Sequence, residues 1–413
     1  MQPKPLKILQ IVPSISLVYG GPSQMIRGLS AALAQQSDRN VNDRTTDDRT
    51  IEKVTVITTD SNGDVDEAPL DVPLGVPVAT DGYEVIYFRC SPFRRYKFST
   101  DLLNWLWRNA HHYDIAHIHA LFSPVSTSAA TVCRWKKLPY IMRPLGTLDP
   151  ADLKKKKQIK KLYAALLEKP NLAGAAAIHF TSELESKVSE RFGVSTPEIV
   201  VPLGVALPDL PDRKASQLAL KEQFNIPDNR PIVLFMSRID PKKGFDLLLP
   251  ALDTLYQNNC PFHFFLCGAN PQDRDYENSI RQQIKSSDWA SWATLSGFVS
   301  GELKAQILSA ADVFVLPSYY ENFGIAVAEA MAAKIPVVIS DQVHIWPVIE
   351  DSKSGWVVPT AVEPLIEALK AALADAQERD RRGENAQQCA KENYSWDAIA
   401  QRLATEYQRL ISE

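Results

Sequence analysis

The chain of 413 residues is poor in several features that mark specialised proteins. It has only 5 cysteines. Cys90, Cys133, Cys260, Cys267 and Cys389 are scattered, with no C-x-x-C spacing, which argues against a disulfide scaffold or zinc ribbon and for a reducing compartment. There is no excess of cations: 45 Lys+Arg stand against 49 Asp+Glu, a net charge of −4. That balance excludes the basic footprint of a dedicated nucleic-acid binder, so no nucleic-acid partner is expected. No run approaches the roughly 18 consecutive apolar residues of a membrane span. The first residues, MQPKPLKILQIVPSISLVY, hold two lysines and a short apolar run. Gln10, Pro13, Ser14 and Ser16 interrupt that run and no small-residue cleavage site follows, so it reads as the first strand of a mature cytoplasmic protein. The dinucleotide fingerprint G-x-G-x-x-G is missing too.

What remains is an ordinary globular composition, 45% hydrophobic, long enough for two to three domains. Strand-like runs occur at KILQIVPSI, VTVITT, EVIYF, IAHIHAL, PYIMR and AAAIHF, separated by helical or loop segments. The segment at 37–50 is polar and reads as a surface insertion. Around 203–231 the pattern resets through the Pro-rich LGVALPDLPDRK, taken as a linker. A second series follows at PIVLFMS, FHFFLCG, ATLSG, DVFVLPS and IPVVISD, and the chain ends in the amphipathic SWDAIAQRLATEYQRLI. Strands alternating with helices predict the α/β class, two mostly parallel sheets covered on both faces. Ligands of such sheets bind beyond the carboxyl ends of the strands.

The strand ends carry the informative residues. After the strand at 312–316 comes a loop with Glu321, Asn322, Phe323 and Gly324, and then a helix from Ile325 that is apolar nearly all round except for Glu329. A carboxylate amid that surface is either half-exposed or meets a donor, such as a ligand hydroxyl. Glu321, beside the amides that collect at the helix start, suits a sugar or ribose attached to a diphosphate. Arg238 and Lys243 follow the strand PIVLFMS directly, with Gly244 ahead of a helix. Two cations there either form an anion site or are simply solvated. Gly20 and Gly21 lie between the first strand and first helix and allow close backbone approach to a ligand. The strand DIAHIHA places Ile115, His117 and His119 on one face, His119 nearest the carboxyl end. A strand histidine is as often a hydrogen-bonded core residue as a ligand-binding one.

Together these residues resemble the family-4 retaining glycosyltransferases of GT-B fold, two Rossmann-like domains facing a cleft. The resemblance rests on Glu-x7-Glu in E-N-F-G-I-A-V-A-E followed by A-M-A-A-K-I-P-V-V, on Arg238-x4-Lys243-Gly244, on the Gly-Gly loop and on the H-x-H strand. It implies an acceptor-binding domain at 1–206, a nucleotide-sugar-binding domain at 207–393, and a C-terminal helix at 394–413 packing back toward the first domain. It implies a nucleotide-diphosphate sugar as co-substrate, no cofactor or metal, and a glycan or lipid-linked acceptor in surface or exopolysaccharide synthesis. Arg238 and Lys243 would hold the diphosphate, Glu321 the donor sugar and Glu329 the ribose. Asn322, Phe323, Gly324 and Ile325 would line the sugar-phosphate site, Gly20 and Gly21 would approach the diphosphate, and His119 would sit near the reacting end of the sugar. Two D-x-D sequences, at Asp64–Asp66 and Asp273–Asp275, lie in hydrophilic stretches and are discounted as metal ligands.

The sequence departs from the family pattern in three places. Pro202–Ala206 reads P-L-G-V-A in place of P-N-G-V-D, QVHIWPVIED with His344 and Trp346 replaces a Gly-Gly turn, and the 37–50 segment has no counterpart. The run Lys154, Lys155, Lys156 and Lys157, with Arg143 upstream and Leu162, Leu166 and Leu167 beside it, is either a solvated face or an acceptor-side contact with an anionic membrane. Trp105, Trp107 and Trp135 would add interfacial anchors, or serve as core. Two other readings stay open: a sugar-nucleotide epimerase, and a catalytically silent binding subunit of a polysaccharide assembly complex.

Overall fold

The computed structural model describes residues 5–39, 51–63, 68–91, 97–148, 163–207 and 209–412. The Lys154–Lys157 run, Leu162, the Asp64–Asp66 pair and residues 40–50 lie outside them. The chain divides into two compact units, one of Met1–Gly204 with Trp396–Glu413 and one of Val205–Ser395.

The first unit is built on eight strands: β1 (Leu6–Ile11), β2 (Ile51–Thr59), β3 (Pro77–Thr80), β4 (Tyr83–Phe88), β5 (Ile115–His119), β6 (Tyr140–Arg143), β7 (Ala177–Phe180) and β8 (Glu198–Val200). Their order is β3-β4-β2-β1-β5-β6-β7-β8. Every pairing is parallel except that of β3 with β4. The helices of its first segment are α1 (Gly21–Arg39), α2 (Thr100–Asn109), α3 (Pro124–Lys136), α4 (Lys169–Ala173), entered through a π turn at Ala164–Glu168, and α5 (Glu183–Val188). Leu9, Ile11, Ile57, Phe88, Ile118, Met142 and Phe180 fill the core, with Leu102, Leu106 and Val125 from the helices. The first helix runs to Arg39, so the polar stretch expected to begin an insertion at 37 starts inside a helix.

The second unit holds a six-stranded parallel sheet of order β11-β10-β9-β12-β13-β14. Its strands are β9 (Ile232–Met236), β10 (His263–Cys267), β11 (Ala293–Gly297), β12 (Val313–Leu316), β13 (Val337–Ser340) and β14 (Gly355–Val358). Around it lie α6 (Arg213–Phe224), α7 (Phe245–Gln257), α8 (Arg274–Ser286), α9 (Gly301–Ala310), α10 (Ile325–Ala332), α11 (Trp346–Ser352), α12 (Val362–Ala374) and α13 (Ala376–Asn393). Strands β9, β10, β12 and β13 are buried at every position, as expected of parallel strands covered on both faces. Strands β3, β8 and β14 were not anticipated from the sequence. All three are only three or four residues long and sit at sheet edges, where one flank is unpaired.

The chain returns to the first unit in α14 (Trp396–Ser412), which packs along α1. Its stripe of Ile399, Ala400, Leu403, Ala404, Tyr407 and Leu410 is buried. At its start the Trp396 ring is wedged against two glycines. A methyl group on Gly28 would lie 2.4 Å from the indole, and one on Gly204 would lie 2.1 Å from it. Gly204 of the P-L-G-V-A segment thus makes room for an aromatic side chain that closes the unit. Gly204→Ala should cost about 1–3 kcal/mol through overpacking, read as a lower urea midpoint. An unaltered midpoint would show that the ring moves aside freely.

Candidate functional site

Both sheets reverse their winding direction once. In the second unit the reversal falls between β9 and β12, where the loops leaving the two strands meet. The loop after β9 carries the exposed Arg238 and turns through Pro241–Lys243 into Gly244. Gly244 has φ +74°, and a Cβ there would sit 2.1 Å from the Pro317 carbonyl oxygen, so this position needs glycine for both conformation and space. The Tyr319 N–H donates to the Lys242 carbonyl at 2.8 Å, and the Tyr319 hydroxyl to Asp246 at 2.7 Å. Those bonds hold the loop after β12 against the loop after β9. Across the seam, Lys243 Nζ pairs with the Glu321 carboxylate, their side chains 11% and 22% exposed.

Glu321 is fixed through its backbone as well. Its N–H donates to the Gln342 carbonyl at 3.1 Å and its carbonyl accepts from His344 N–H at 3.0 Å. The loop after β13, where the sequence leaves the family pattern, therefore supports the loop after β12. Gly324, at φ +83°, precedes α10. The first N–H groups of that helix have no intrahelical acceptor and point outward from its start. Phe323 is buried, edge-on to Tyr394 with ring centroids 5.4 Å apart. One turn into α10, Glu329 accepts from Lys304 Nζ of α9 at 2.7 Å. Both side chains are about a quarter exposed, at 23% and 28%.

The first unit reverses between β1 and β5, and a cavity of about 470 Å³ opens there. Its size is that of a small-molecule site. Pro13 and Ser14 come from the end of β1, Tyr19, Pro22 and Ser23 from the entry to α1, and His119, Ala120 and Phe122 from the end of β5. Lys97, Leu145 and Thr147 complete one side. Gly20 turns the chain into α1 with φ +66°, and its carbonyl accepts from Ser23 and Gln24 N–H at 3.1 and 3.2 Å.

Two buried carboxylates pin the loops around this cavity. Glu168 accepts from Phe122 N–H at 2.8 Å and the Thr127 hydroxyl at 2.7 Å. That anchors a turn in which Ala120 and Phe122 both have positive φ. Burial raises the Glu168 pKa above the usual range. Glu185 accepts from Gly146 N–H at 2.9 Å and from Thr181 N–H and hydroxyl at 2.6 and 2.7 Å, holding the loop that supplies Leu145 and Thr147.

Residues 216–389 match the family described as glycosyl transferases group 1, and residues 20–204 match the glycosyl transferase 4-like domain. The chain belongs to these glycosyltransferases. It is 32% identical to the alpha-D-kanosaminyltransferase of Streptomyces kanamyceticus over 200 residues, 48% of this chain and 50% of that one. The chain thus spans about half the length of this curated relative. Among solved structures, the sucrose-phosphate synthase of Thermosynechococcus elongatus superposes with a TM-score of 0.74 at 22% identity, over 98% of this chain and 99% of the other. Anabaena HepE, solved in complex with UDP and glucose, gives 0.70 at 19% identity, over 97% and 99%. Those likenesses show the GT-B fold.

Within this glycosyltransferase the second unit brings Lys243, Glu321, Asn322, Phe323, Gly324 and Ile325 to the two loops and helix start at its reversal point, with Arg238 exposed on the β9 loop. Glu329 stands one turn further on, held by Lys304. Gly20 precedes α1 and Gly21 opens it; His119 lines the cavity of the first unit. Arg143 is 1% exposed at the end of β6, so it is a core residue and neither a surface acceptor contact nor a membrane contact. Its Nη1 lies 3.0 Å from Met25 Sδ, and burial lowers its pKa to about 10. Asp273 caps α8, accepting from Tyr276 N–H at 3.1 Å. Among the described residues no three His, Cys, Asp or Glu side chains are grouped to hold a metal ion. Sequence reasoning missed Lys304, Glu168 and Glu185, whose partners lie 25 to 46 residues away or on other elements. It named Gln10 only as a break in the first apolar run and passed over His179, although each is a polar residue inside an apolar strand run and so carried a visible signal.

His117, His119 and His179 are all buried, and burial pushes each pKa well below its usual value near 6.5. They stay neutral in the fold and charge on unfolding. The unfolded chain therefore binds more protons below about pH 6.5, so stability is full above that pH and falls as the medium is acidified. Each histidine contributes a slope of up to about 1.4 kcal/mol per pH unit. Urea unfolding at pH 7.5 and 5.5 should show the first unit weakened at the lower pH, and equal midpoints would contradict the burial of neutral imidazoles.

Proposed function

We propose that the protein transfers a sugar, with retention, from a nucleotide-diphosphate donor to a glycan or lipid-linked acceptor, as a metal-independent enzyme of surface or exopolysaccharide synthesis in the cytoplasm. The observation that carries this reading is the Lys243–Glu321 pair at the reversal point of the second sheet. A cation already held by a carboxylate can turn to a diphosphate, while the carboxylate turns to sugar hydroxyls. Arg238 adds a guanidinium fork on the same loop, and the N–H groups at the start of α10 add partial positive charge. Glu329 supplies a ribose acceptor once Lys304 shares it.

In the reaction, the bond between the anomeric carbon and the diphosphate oxygen breaks, its electron pair leaving with the diphosphate. The acceptor oxygen bonds to the same face of that carbon, and its proton passes to the departing phosphate oxygen. Lys243 and Arg238 stabilise the charge that develops on the leaving group. His119 meets a ligand hydroxyl in the first unit.

A panel of nucleotide sugars tests this. Release of nucleoside diphosphate with sugar transfer supports it, an isomerised donor would point to an epimerase, and binding without turnover to a silent subunit. Glu321→Ala and Lys243→Ala should each lower kcat about 10²–10³-fold. Unchanged turnover in both would overturn the site.

We propose further that the first unit docks on an anionic membrane. No helix among the described residues is long and apolar enough to cross one. Exposed Trp107 and Trp135 lie edge to face with centroids 6.2 Å apart, and Lys136 sits 4.2 Å above the Trp107 ring. Leu166 and Leu167 are exposed just past the lysine run, at 65% and 45%. Vesicles containing phosphatidylglycerol should bind the wild type more than tenfold more tightly than a variant with Lys154–Lys157 changed to alanine, at about 1 kcal/mol per lysine. Equal binding would reject the idea.

A further inference from the structure

Beneath the cavity the sheet of the first unit is not apolar. Gln10 of β1, His117 and His119 of β5, His179 of β7 and Tyr407 of α14 are each at most 1% exposed. A sheet covered on both faces is ordinarily packed with hydrocarbon, and a buried polar set is favourable only when its members satisfy one another. These five are joined in one unbranched series of hydrogen bonds.

The direction of every bond follows from one end. A carbonyl can only accept, so His179 Nε2, 2.7 Å from the Val201 carbonyl oxygen, carries the proton. Burial and the nearby Arg143 charge keep all three imidazoles neutral, with a single ring proton each. His179 Nδ1 therefore accepts, and His117 Nε2 donates to it at 3.1 Å. His117 Nδ1 is then a lone pair, which takes the Tyr407 hydroxyl proton at 2.7 Å. With that proton committed, Tyr407 accepts the Gln10 amide N–H at 3.3 Å. The amide is thereby oriented with its oxygen toward His119, whose Nε2 lies 2.6 Å away and donates. His119 has its one proton on Nε2. Its Nδ1 is left as a lone pair with no partner among the described residues, in a side chain that lines the cavity. Ser23 Oγ, also buried and also without a partner there, lines the same cavity.

We infer that this relay fixes His119 as a hydrogen-bond acceptor, and that Tyr407, on the helix at the end of the chain, is the positioning residue that transmits the setting to it. The ligand chemistry this selects is a donating group, a sugar or polyol hydroxyl, in preference to an ether or a carbonyl at the same place. The role toward a ligand rests on the transferase reading above; the tautomer does not.

Tyr407→Phe keeps the ring and removes one oxygen. His117 then loses its donor and the Gln10 amide loses its acceptor. The amide is free to turn its nitrogen toward His119, which can satisfy it only by moving its proton to Nδ1. The bare Nδ1 thereby changes from acceptor to donor.

Ring-nitrogen NMR spectra of the ¹⁵N-labelled full chain, recorded without substrate, test the relay directly. The wild type should show His119 protonated on Nε2 and bare on Nδ1, and Tyr407→Phe should shift the proton to Nδ1 with kcat lowered about tenfold and the KM for the nucleotide donor held. A wild-type His119 protonated on Nδ1, or a variant with an unshifted tautomer, would overturn the inference. The wild-type spectrum decides the His119 tautomer even if the variant fails to fold. The expected spectra in a protein that transfers no sugar from any donor would uphold the relay and reject the transferase reading.

Discussion

Parallel pairing forces every strand of a sheet to leave at the same edge, and each crossover must return to start the next strand at the opposite one. The chemistry of both units depends on that constraint. Where the winding direction reverses, two adjacent strands feed crossovers on opposite faces of the sheet and leave a recess that neither crossover covers. In the second unit the recess is bordered by the loops after β9 and β12, drawn so close that Gly244 lies against the Pro317 carbonyl. In the first it is the cavity at the ends of β1 and β5.

The two recesses are held in different ways. In the second unit the fixed points are partly exposed ion pairs, Lys243 with Glu321 and Lys304 with Glu329. The pair of Lys304 with Glu329, about a quarter exposed, contributes little to stability in water. The largely buried Lys243 instead needs an anionic partner opposite it at all times, a carboxylate or an arriving phosphate. In the first unit the fixed points are fully buried. Glu168 and Glu185 hold backbone N–H groups, and Gln10, the three histidines and Tyr407 hold one another. Breaking any of these would leave a polar group stranded in the core. One recess is suited to exchanging partners, the other to keeping a fixed shape.

Much of this was legible in the sequence because it is local. The strand runs, the Arg238–Gly244 turn and the Glu321–Glu329 spacing each lie within a dozen residues, where period and turn chemistry speak directly. The edge strands β3, β8 and β14 were not legible, since each is only three or four residues long, too short for a period to show. Arg143 shows the limit of reading charge as exposure: it was grouped with the lysine run as an acceptor-side or membrane contact, yet the strand carries it into the core. The lysine at 304 gave no sign at all of its carboxylate 25 residues on. Gln10 and His179 did give one, a polar residue amid hydrocarbon. What they bind could be seen only once the sheet order had brought β1, β5 and β7 under α14.

The placement of Trp396 and Tyr407 bears on how the molecule is made. The second unit is continuous, from Val205 to Ser395, while the first is completed by a segment that follows it. A chain emerging from the ribosome amino end first can close the second unit as soon as its own residues are out. The sheet of the first, synthesised earlier, must wait with Gly28 and Gly204 uncovered and His117 lacking its hydroxyl partner until the last helix arrives. The older half of the polypeptide is therefore the last to mature, and a chain interrupted before Trp396 would carry a finished second unit beside an unfinished first.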